Sequence, residues 1–138
     1  MKKKIYLFTN MIGMLLANAQ EDVSYMLRNK SRIYAISAKI SKSELELAKA
    51  YIKGAVHCFT KNKPNENFSV QILFGGVNKD WNGSPLQAFY DYYAAKECTD
   101  AEDRAAQDVG KLLKSVLDED IRHCYIEEQR FTKEYAKL

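Results

Sequence analysis

The order of apolar and polar positions predicts alternating strands and helices at the start of the chain. Residues 3–9 are rich in β-branched and aromatic types, which favour a strand. Asn10 is a suitable N-cap for a helix over 10–28. The apolar positions of this helix recur at helical spacing: Ile12, Leu15, Leu16, Ala19, Val23, Met26 and Leu27. Residues 32–40 then alternate, which predicts a second strand and a right-handed βαβ unit.

A second helix and a third strand extend this arrangement. Ser41 and Glu44 are spaced as a capping box, so we expect a helix from there to about Lys61. Its apolar stripe consists of Leu45, Ala48, Ile52, Ala55, Val56 and Phe59. Alternation over 68–72 predicts a third strand that ends at the following pair of glycines. The alternative for this segment is a one-turn helix over 70–74.

Helical signals dominate the C-terminal half. Ser84 followed by a proline is typical of a helix N-terminus and predicts a helix over 84–97. Thr99 and Glu102 have the spacing of another capping box, so we expect a further helix to begin there. Its predicted buried stripe contains Val109, Leu112, Leu113, Val116 and Leu117. The acidic residues 118–120 bend or end this helix.

The pattern as a whole predicts one α+β domain over residues 1–138. Residues 121–136 are expected to continue as helix, so the domain has a small N-terminal sheet (β-α-β-α-β) and a helical C-terminal half. The 138 residues are 46% hydrophobic, with only six glycines and two prolines, so a collagen-like or disordered chain is excluded. A chain of this size can bury one stable core without disulfides or metal.

The first twenty residues have some features of a secretory signal. Three lysines precede an apolar stretch, and Ala17 and Ala19 form a possible cleavage site. Thr9 and Asn10 interrupt that stretch, however, and the helical stripe continues past Ala19. We therefore expect a cytoplasmic protein that does not enter a membrane, since no apolar run is long enough to span one. The alternative is a periplasmic or secreted inhibitor or immunity-type protein with residues 1–19 removed.

The charge is unevenly distributed along the chain. Residues 1–64 carry 12 Lys and Arg against 4 Asp and Glu, a net +8, whereas residues 65–138 carry 9 against 14, a net −5. A cluster of basic residues on one surface is typical of a polyanion site. The candidate polyanion-binding residues are Lys42, Lys49, Lys53, Lys61 and Lys63. The simpler alternative is a solvated face that only confers solubility.

The acidic half offers a second possible surface. Its carboxylates concentrate at Glu97, Asp100, Glu102, Asp103, Asp108, Asp118, Glu119 and Asp120. Such a face could mimic phosphates or dock on a basic partner, although nearby basic residues dilute its charge. Opposite charges on the two halves also suggest a homo-oligomer in which the basic half of one copy meets the acidic half of another.

Two aromatic residues are candidate anchors for a protein partner. Trp81, the only tryptophan, stands in a polar loop and either fills the core or contacts a partner. Tyr92 points away from the apolar side of its predicted helix, which suggests an exposed ring. We therefore assign Trp81 and Tyr92 as candidate partner-binding residues.

The histidines and cysteines do not indicate a metal or catalytic site. Each histidine directly precedes a cysteine, at Cys58 and Cys124, and neighbouring side chains on a helix diverge by about 100°. Zinc ligands require other spacings, so we expect no metal and no cofactor. Cys58 and Cys124 are expected as core thiols. The alternative is a small enzyme that uses one of these cysteines with a histidine.

Taken together, these features predict a small non-enzymatic binding or regulatory protein. It would contact nucleic acid, or inhibit a nucleic-acid-handling enzyme in the manner of phage or mobile-element inhibitors. The expected partners are a protein, a nucleic acid or both.

Overall fold

Helices make up most of the described part of the chain, and the sheet lies near its C-terminal end. The computed structural model describes residues 3–6, 36–75, 79–129 and 133–138. The elements are strand β1 (Lys3–Tyr6), helices α1 (Lys42–Asn62), α2 (Val70–Phe74), α3 (Gln87–Ala95) and α4 (Ala101–Glu119), and strands β2 (Tyr125–Gln129) and β3 (Lys133–Lys137).

Helix α4 is the centre of the helical part. It contacts α1, α2 and α3, and its predicted apolar stripe, from Val109 to Leu117, is buried throughout. Its N-terminus differs from the prediction, because Asp100 and not Thr99 is the N-cap residue. The Asp100 carboxylate makes no capping bond and accepts instead from Arg104 Nε at 2.9 Å. The helix was therefore predicted correctly but its cap was not.

The start of α1 follows the sequence pattern closely. The Ser41 hydroxyl accepts from the Glu44 amide at 3.2 Å, and the Glu44 carboxylate accepts from the Ser41 amide at 3.0 Å. The predicted capping box is thus confirmed. Of the predicted stripe, four residues are buried and two are half-buried against the core: Leu45, Ala48, Ile52 and Val56, then Ala55 and Phe59.

The expected third strand is a helix, as the alternative proposed. Ser69 accepts from the Ile72 amide at 3.2 Å and so caps α2, which ends at Gly75 with φ at +89°. Only Phe68 keeps a strand-like contact, an isolated antiparallel bridge to Tyr135. The alternation that predicted a strand is overruled by the local cap, which provides hydrogen bonds for a helical turn.

The strand expected over 32–40 is also wrong in its described part. Residues 36–40 form a helical turn, closed by the Lys39 amide donating to the Ile36 carbonyl at 2.9 Å. Ile36 and Ile40 are buried while Ala38 between them is exposed. This is the spacing of a helical turn, in which residues four apart share a face.

The helix expected over 121–136 is replaced by the hairpin strands β2 and β3. Tyr125 and Glu127 are buried, whereas Ile126 between them is only half-buried. Such alternation of burial at every second residue is the pattern of a strand. Tyr125 and Tyr135 both pack on the Phe68 ring, at centroid distances of 6.1 and 5.9 Å. This distant aromatic contact stabilises strands in a segment that also contains the helix formers Glu, Gln, Lys and Arg.

These changes correct the predicted fold class. The β-α-β-α-β arrangement is wrong, because the sheet is antiparallel, has the order β1-β2-β3 and is built on the C-terminal hairpin. Strand β1 lies within the predicted strand 3–9 but pairs with β2, Ile5 opposite Ile126. The predicted helix over 10–28 and the possible cleavage site after Ala19 lie outside the described residues.

The third helix begins slightly later than predicted. Helix α3 starts at Gln87, and Ser84 forms the turn before it, where its hydroxyl accepts from the Leu86 amide at 3.3 Å. Within the described ranges, no helix is both long and apolar enough to cross a membrane.

Phe68 joins the helices to the sheet, which gives a first test of the fold. Its ring contacts Phe59, Tyr125 and Tyr135, and it is fully buried, whereas Ile72 in the next helix is 51% exposed. We expect Phe68→Ala to lower the free energy of unfolding by about 4 kcal/mol. The control Ile72→Ala is expected to cost less than about 1 kcal/mol. Urea denaturation measures both, and equal losses would contradict the placement of Phe68.

Candidate functional site

The predicted basic residues lie along the outer side of α1. We call Lys42, Lys49, Lys53 and Lys61 the lysine row. The first three lie within about 40° of each other around the helix, and Lys61 about 80° further, at 100° per residue. At 1.5 Å per residue, the row is about 28 Å long. Lys63 follows directly after the helix.

The members of this set differ in whether a carboxylate neutralises them. Lys49 is half-buried and pairs with Glu119 at 3.4 Å. Lys63 lies 3.7 Å from Glu66 and over the Phe59 ring at 5.7 Å. The remaining three lysines, Lys42, Lys53 and Lys61, are exposed and have no ion-pair partner among the described residues.

One acid lies beside the first lysines of the row, whereas two exposed apolar side chains lie about 120–180° from those lysines around α1. Glu46 is exposed and lies four residues after Lys42 on the same face, where it reduces the positive charge. Leu47 is 60% and Tyr51 44% exposed, and the Tyr51 ring packs against Phe74 at 5.8 Å. Sequence reasoning missed Tyr51, although its position outside the buried stripe of α1 was a usable signal.

Trp81 is not on this surface. Its side chain is buried, 7% exposed, and the indole Nε1 donates to the Phe74 carbonyl at 2.9 Å. Lys79 covers the ring at 5.7 Å. The indole therefore fills the core, the first of the two alternatives, and a contact with a partner stays a prediction that this position does not favour.

Tyr92 is half-buried near the end of α3. Its ring meets that of Tyr93 edge to face at 5.1 Å, and the Lys96 ammonium lies 4.5 Å from its centroid. Part of its surface is thus used inside the fold. The structure does not bring Tyr92, Trp81 and the lysine row together into one surface, since they lie on three separate segments.

Several of the predicted acidic residues form ion pairs or hydrogen bonds within the chain, although most of them stay exposed. Asp108 pairs with Lys39, Asp100 with Arg104 and Glu119 with Lys49. Asp120 accepts from the Arg122 amide and from the Tyr125 hydroxyl. Glu102 and Asp103 remain exposed in the first turn of α4. Glu97, which precedes α4, is exposed as well, so an acidic surface remains near the start of this helix, and both it and the homo-oligomer stay predictions.

The cysteines do not form a core site. Cys58 is exposed, which corrects its prediction as a core thiol, and Cys124 is half-buried. The Asn62 side chain approaches the Cys58 sulfur at 3.6 Å. In the part of the chain that the structure describes, no group of three His, Cys, Asp or Glu residues could hold a metal ion.

A charged network that the sequence did not predict lies between α3, α4 and the turn before α1. The Tyr93 hydroxyl donates to Asp108 Oδ2 at 2.6 Å, and Lys39 Nζ donates to the Tyr93 oxygen at 2.6 Å. Lys39 also lies 3.2 Å from Asp108 Oδ2. Asp108 is only 2% exposed, so these partners compensate a carboxylate that has lost nearly all of its water.

The network raises the pKa values of Lys39 and Tyr93. Burial alone lowers the pKa of Lys39, but its hydrogen bonds to Tyr93 and Asp108 outweigh burial and raise the pKa above 10.5. Burial and the bond to Asp108 raise the pKa of Tyr93 above its ordinary 10.0, against the opposing effect of Lys39. Tyr93 therefore keeps its proton, which the Asp108 carboxylate accepts in a hydrogen bond.

The comparisons with known proteins add no relationship. No protein-family model matches the sequence, and no curated protein or solved structure is similar enough to it to count as a match. The residues and their geometry therefore carry the functional argument.

The buried carboxylate gives a test of the network. We expect Asp108→Asn to lower the free energy of unfolding by about 3 kcal/mol, because Lys39 loses its counter-charge in a partly buried position. The control Asp103→Asn, exposed on the same helix, is expected to cost less than about 1 kcal/mol. Urea denaturation at neutral pH compares the two variants. A loss for Asp108→Asn no larger than that of the control would show that the network contributes little to stability.

The raised pKa values also predict how stability depends on pH. The folded chain holds the protons of Lys39 and Tyr93 more tightly than the unfolded chain does. Their contribution is therefore complete below about pH 10 and is lost as the pH rises through the folded pKa values. Burial and a bond to Asp120 raise the pKa of Tyr125, which acts in the same direction.

We thus expect the free energy of unfolding to change little between about pH 8 and 9.5 through these groups and to fall above about pH 10. In Tyr93→Phe the alkaline decrease should be less steep, since one of the titrating groups is absent. Urea denaturation at a series of pH values measures both profiles. Parallel profiles above pH 10 would exclude Tyr93 as a contributor.

Proposed function

We propose that this protein is a non-enzymatic binding protein that contacts single-stranded nucleic acid through the outer side of α1. The observation that carries the proposal is the row of three exposed lysines, Lys42, Lys53 and Lys61, that have no ion-pair partner among the described residues. The same helix exposes Tyr51, which lies about 80° from Lys61 around the helix and on the opposite side from Lys42 and Lys53. Proteins that bind single strands combine a basic track for the backbone with aromatic rings on which bases stack. The lysine row and Tyr51 provide both parts.

The length of the row suits an extended ligand. A length of about 28 Å is enough for several nucleotides of a single strand. Lys42 and Lys61 lie at opposite ends of α1, so one strand must run along the helix to contact both. A small anion would use only one of these lysines, and the row therefore favours a polymer.

The exposed tyrosine distinguishes a nucleic acid from other polyanions. The Tyr51 ring is held against Phe74 and keeps nearly half of its surface open. A fixed and accessible ring loses little conformational entropy when a base stacks on it, and such stacking is worth about 1–3 kcal/mol per base. A polyanion without bases cannot use this contact.

An inhibitor of a nucleic-acid-handling enzyme is the second candidate. Leu47 and Ile72 are exposed apolar residues, 60% and 51%, on the two helices that Tyr51 and Phe74 join. An exposed aliphatic surface on a helix that also carries lysines suits an acidic protein partner. Leu47→Ala and Ile72→Ala should weaken such a complex and leave oligonucleotide binding unchanged.

The salt dependence of binding tests the nucleic-acid proposal. With a labelled single-stranded oligonucleotide, we expect log K to fall with log salt with a slope of about −2, for three lysine contacts. The double variant Lys53→Gln, Lys61→Gln should reduce the slope to about −0.7. Glu46→Gln should bind more tightly, because it removes an acid on the same face of the helix as Lys42 and Lys53. Fluorescence anisotropy at several salt concentrations provides these values.

Two controls make the result specific. Lys96→Gln removes an exposed lysine at the end of α3 and should leave the slope unchanged. Tyr51→Ala should weaken oligonucleotide binding about tenfold but leave binding of dextran sulfate, which has no bases, unchanged. A slope near zero in the unchanged protein would refute the proposal.

A further inference from the structure

An open pocket of about 310 Å³ lies at the charged network and uses no member of the lysine row. Its volume is at the lower end of the range for small-molecule sites. The residues around it include Lys39, Tyr93, Arg104, Gln107, Asp108 and Lys111. The pocket is thus formed by α3, α4 and the turn before α1.

The inner wall is rigid and already hydrogen-bonded. Tyr93 donates its only O–H to Asp108, so the tyrosine has no donor left for a ligand. Lys39 has three N–H donors, of which Tyr93 and Asp108 use two. One ammonium donor of Lys39 therefore remains for the pocket, held in place by the network.

The outer wall adds donors from two half-exposed side chains of α4. Arg104 uses Nε for Asp100 at 2.9 Å, a bond that orients the guanidinium and leaves its terminal nitrogens available. Lys111 Nζ lies 3.8 Å from Asp108 Oδ1, and the same carboxylate also pairs with Lys39. Arg104 and Lys111 are seven residues apart, about two turns, so both side chains project from the same face of α4.

The charges around the pocket do not cancel. Three cations, Lys39, Arg104 and Lys111, face two carboxylates, Asp100 and Asp108, so one positive charge is in excess. The single buried carboxylate is shared between two ammonium groups. An excess positive charge with several convergent N–H donors disfavours a cation or an apolar ligand and favours an oxyanion.

We propose that this pocket binds the phosphate group of a small phosphorylated molecule. Arg104 and Lys111 donate to it from the mouth of the pocket, and Lys39 donates from the inner wall. A phosphate has three oxygens for these three donors and carries enough charge to gain from all three cations. The proposal concerns a different surface from the lysine row and does not depend on it.

Inorganic phosphate is the probe for this site. It is titrated into the full chain by calorimetry at constant ionic strength, with sodium chloride as the replaced salt. We expect saturable binding of one phosphate per chain, weakened at least about tenfold in Arg104→Gln and in Lys111→Gln. The conservative variant Arg104→Lys should retain part of the affinity, since it keeps the charge but loses the planar fork. No saturable binding, or unchanged affinity in both glutamine variants, would overturn the proposal.

The controls separate this site from the lysine row. Lys53→Gln and Lys61→Gln should bind phosphate as the unchanged protein does, so the two proposals can fail independently. Arg104 and Lys111 are 52% and 43% exposed, so their variants should fold, which circular dichroism verifies.

Competition identifies the kind of ligand. A nucleoside monophosphate that displaces phosphate would support a small phosphorylated ligand. Displacement by an oligonucleotide without terminal phosphates but not by the mononucleotide would contradict it, as would acetate binding as tightly as phosphate.

Discussion

The burial of α4 on three sides is the constraint on which the rest of the structure depends. Helices α1, α2 and α3 all contact α4, and residues 112–117 in its second half are all buried. The buried surface of α4 is not only apolar, because Asp108, Lys114 and Ser115 are buried together with the apolar stripe. Buried charges must be paired. Asp108 therefore takes Lys39 and Tyr93, and Lys114 lies 3.6 Å from Glu127 of β2.

These pairings determine which surfaces remain for binding. Because the inner side of α1 packs on α4, its lysines and Tyr51 are left on the outside. Because the partners of Asp108 come from α3 and the turn before α1, polar groups gather where these segments meet, and the charged pocket forms there. The two candidate surfaces are thus consequences of one packing arrangement. One presents unpaired charge to solvent, and the other holds charge in a fixed network.

Local signals in the sequence were correct at some positions and wrong at others, such as the capping box expected from Thr99 to Glu102. The Ser41–Glu44 capping box and the apolar stripes of α1 and α4 were predicted, because cap and periodicity act within a few residues. The C-terminal hairpin was not predicted, because the contact that stabilises it is made with a residue distant in sequence: Tyr125 and Tyr135 pack on Phe68. The Lys39–Asp108 pair was missed for the same reason, since 69 residues separate the two in sequence. The lysine row was anticipated from spacing, while Tyr51 was not.

The uneven charge of the chain has a structural use that its net value of +3 conceals. Two ion pairs, Lys39 with Asp108 and Lys49 with Glu119, join the basic first half to the acidic second half within one molecule. Of the two pairs, only Lys49 with Glu119 involves α1, and Glu119 is exposed. Lys42, Lys53 and Lys61 have no such partner among the described residues, so their positive charge is left on the surface of α1. These three lysines are the charges of α1 that remain for the proposed polyanion.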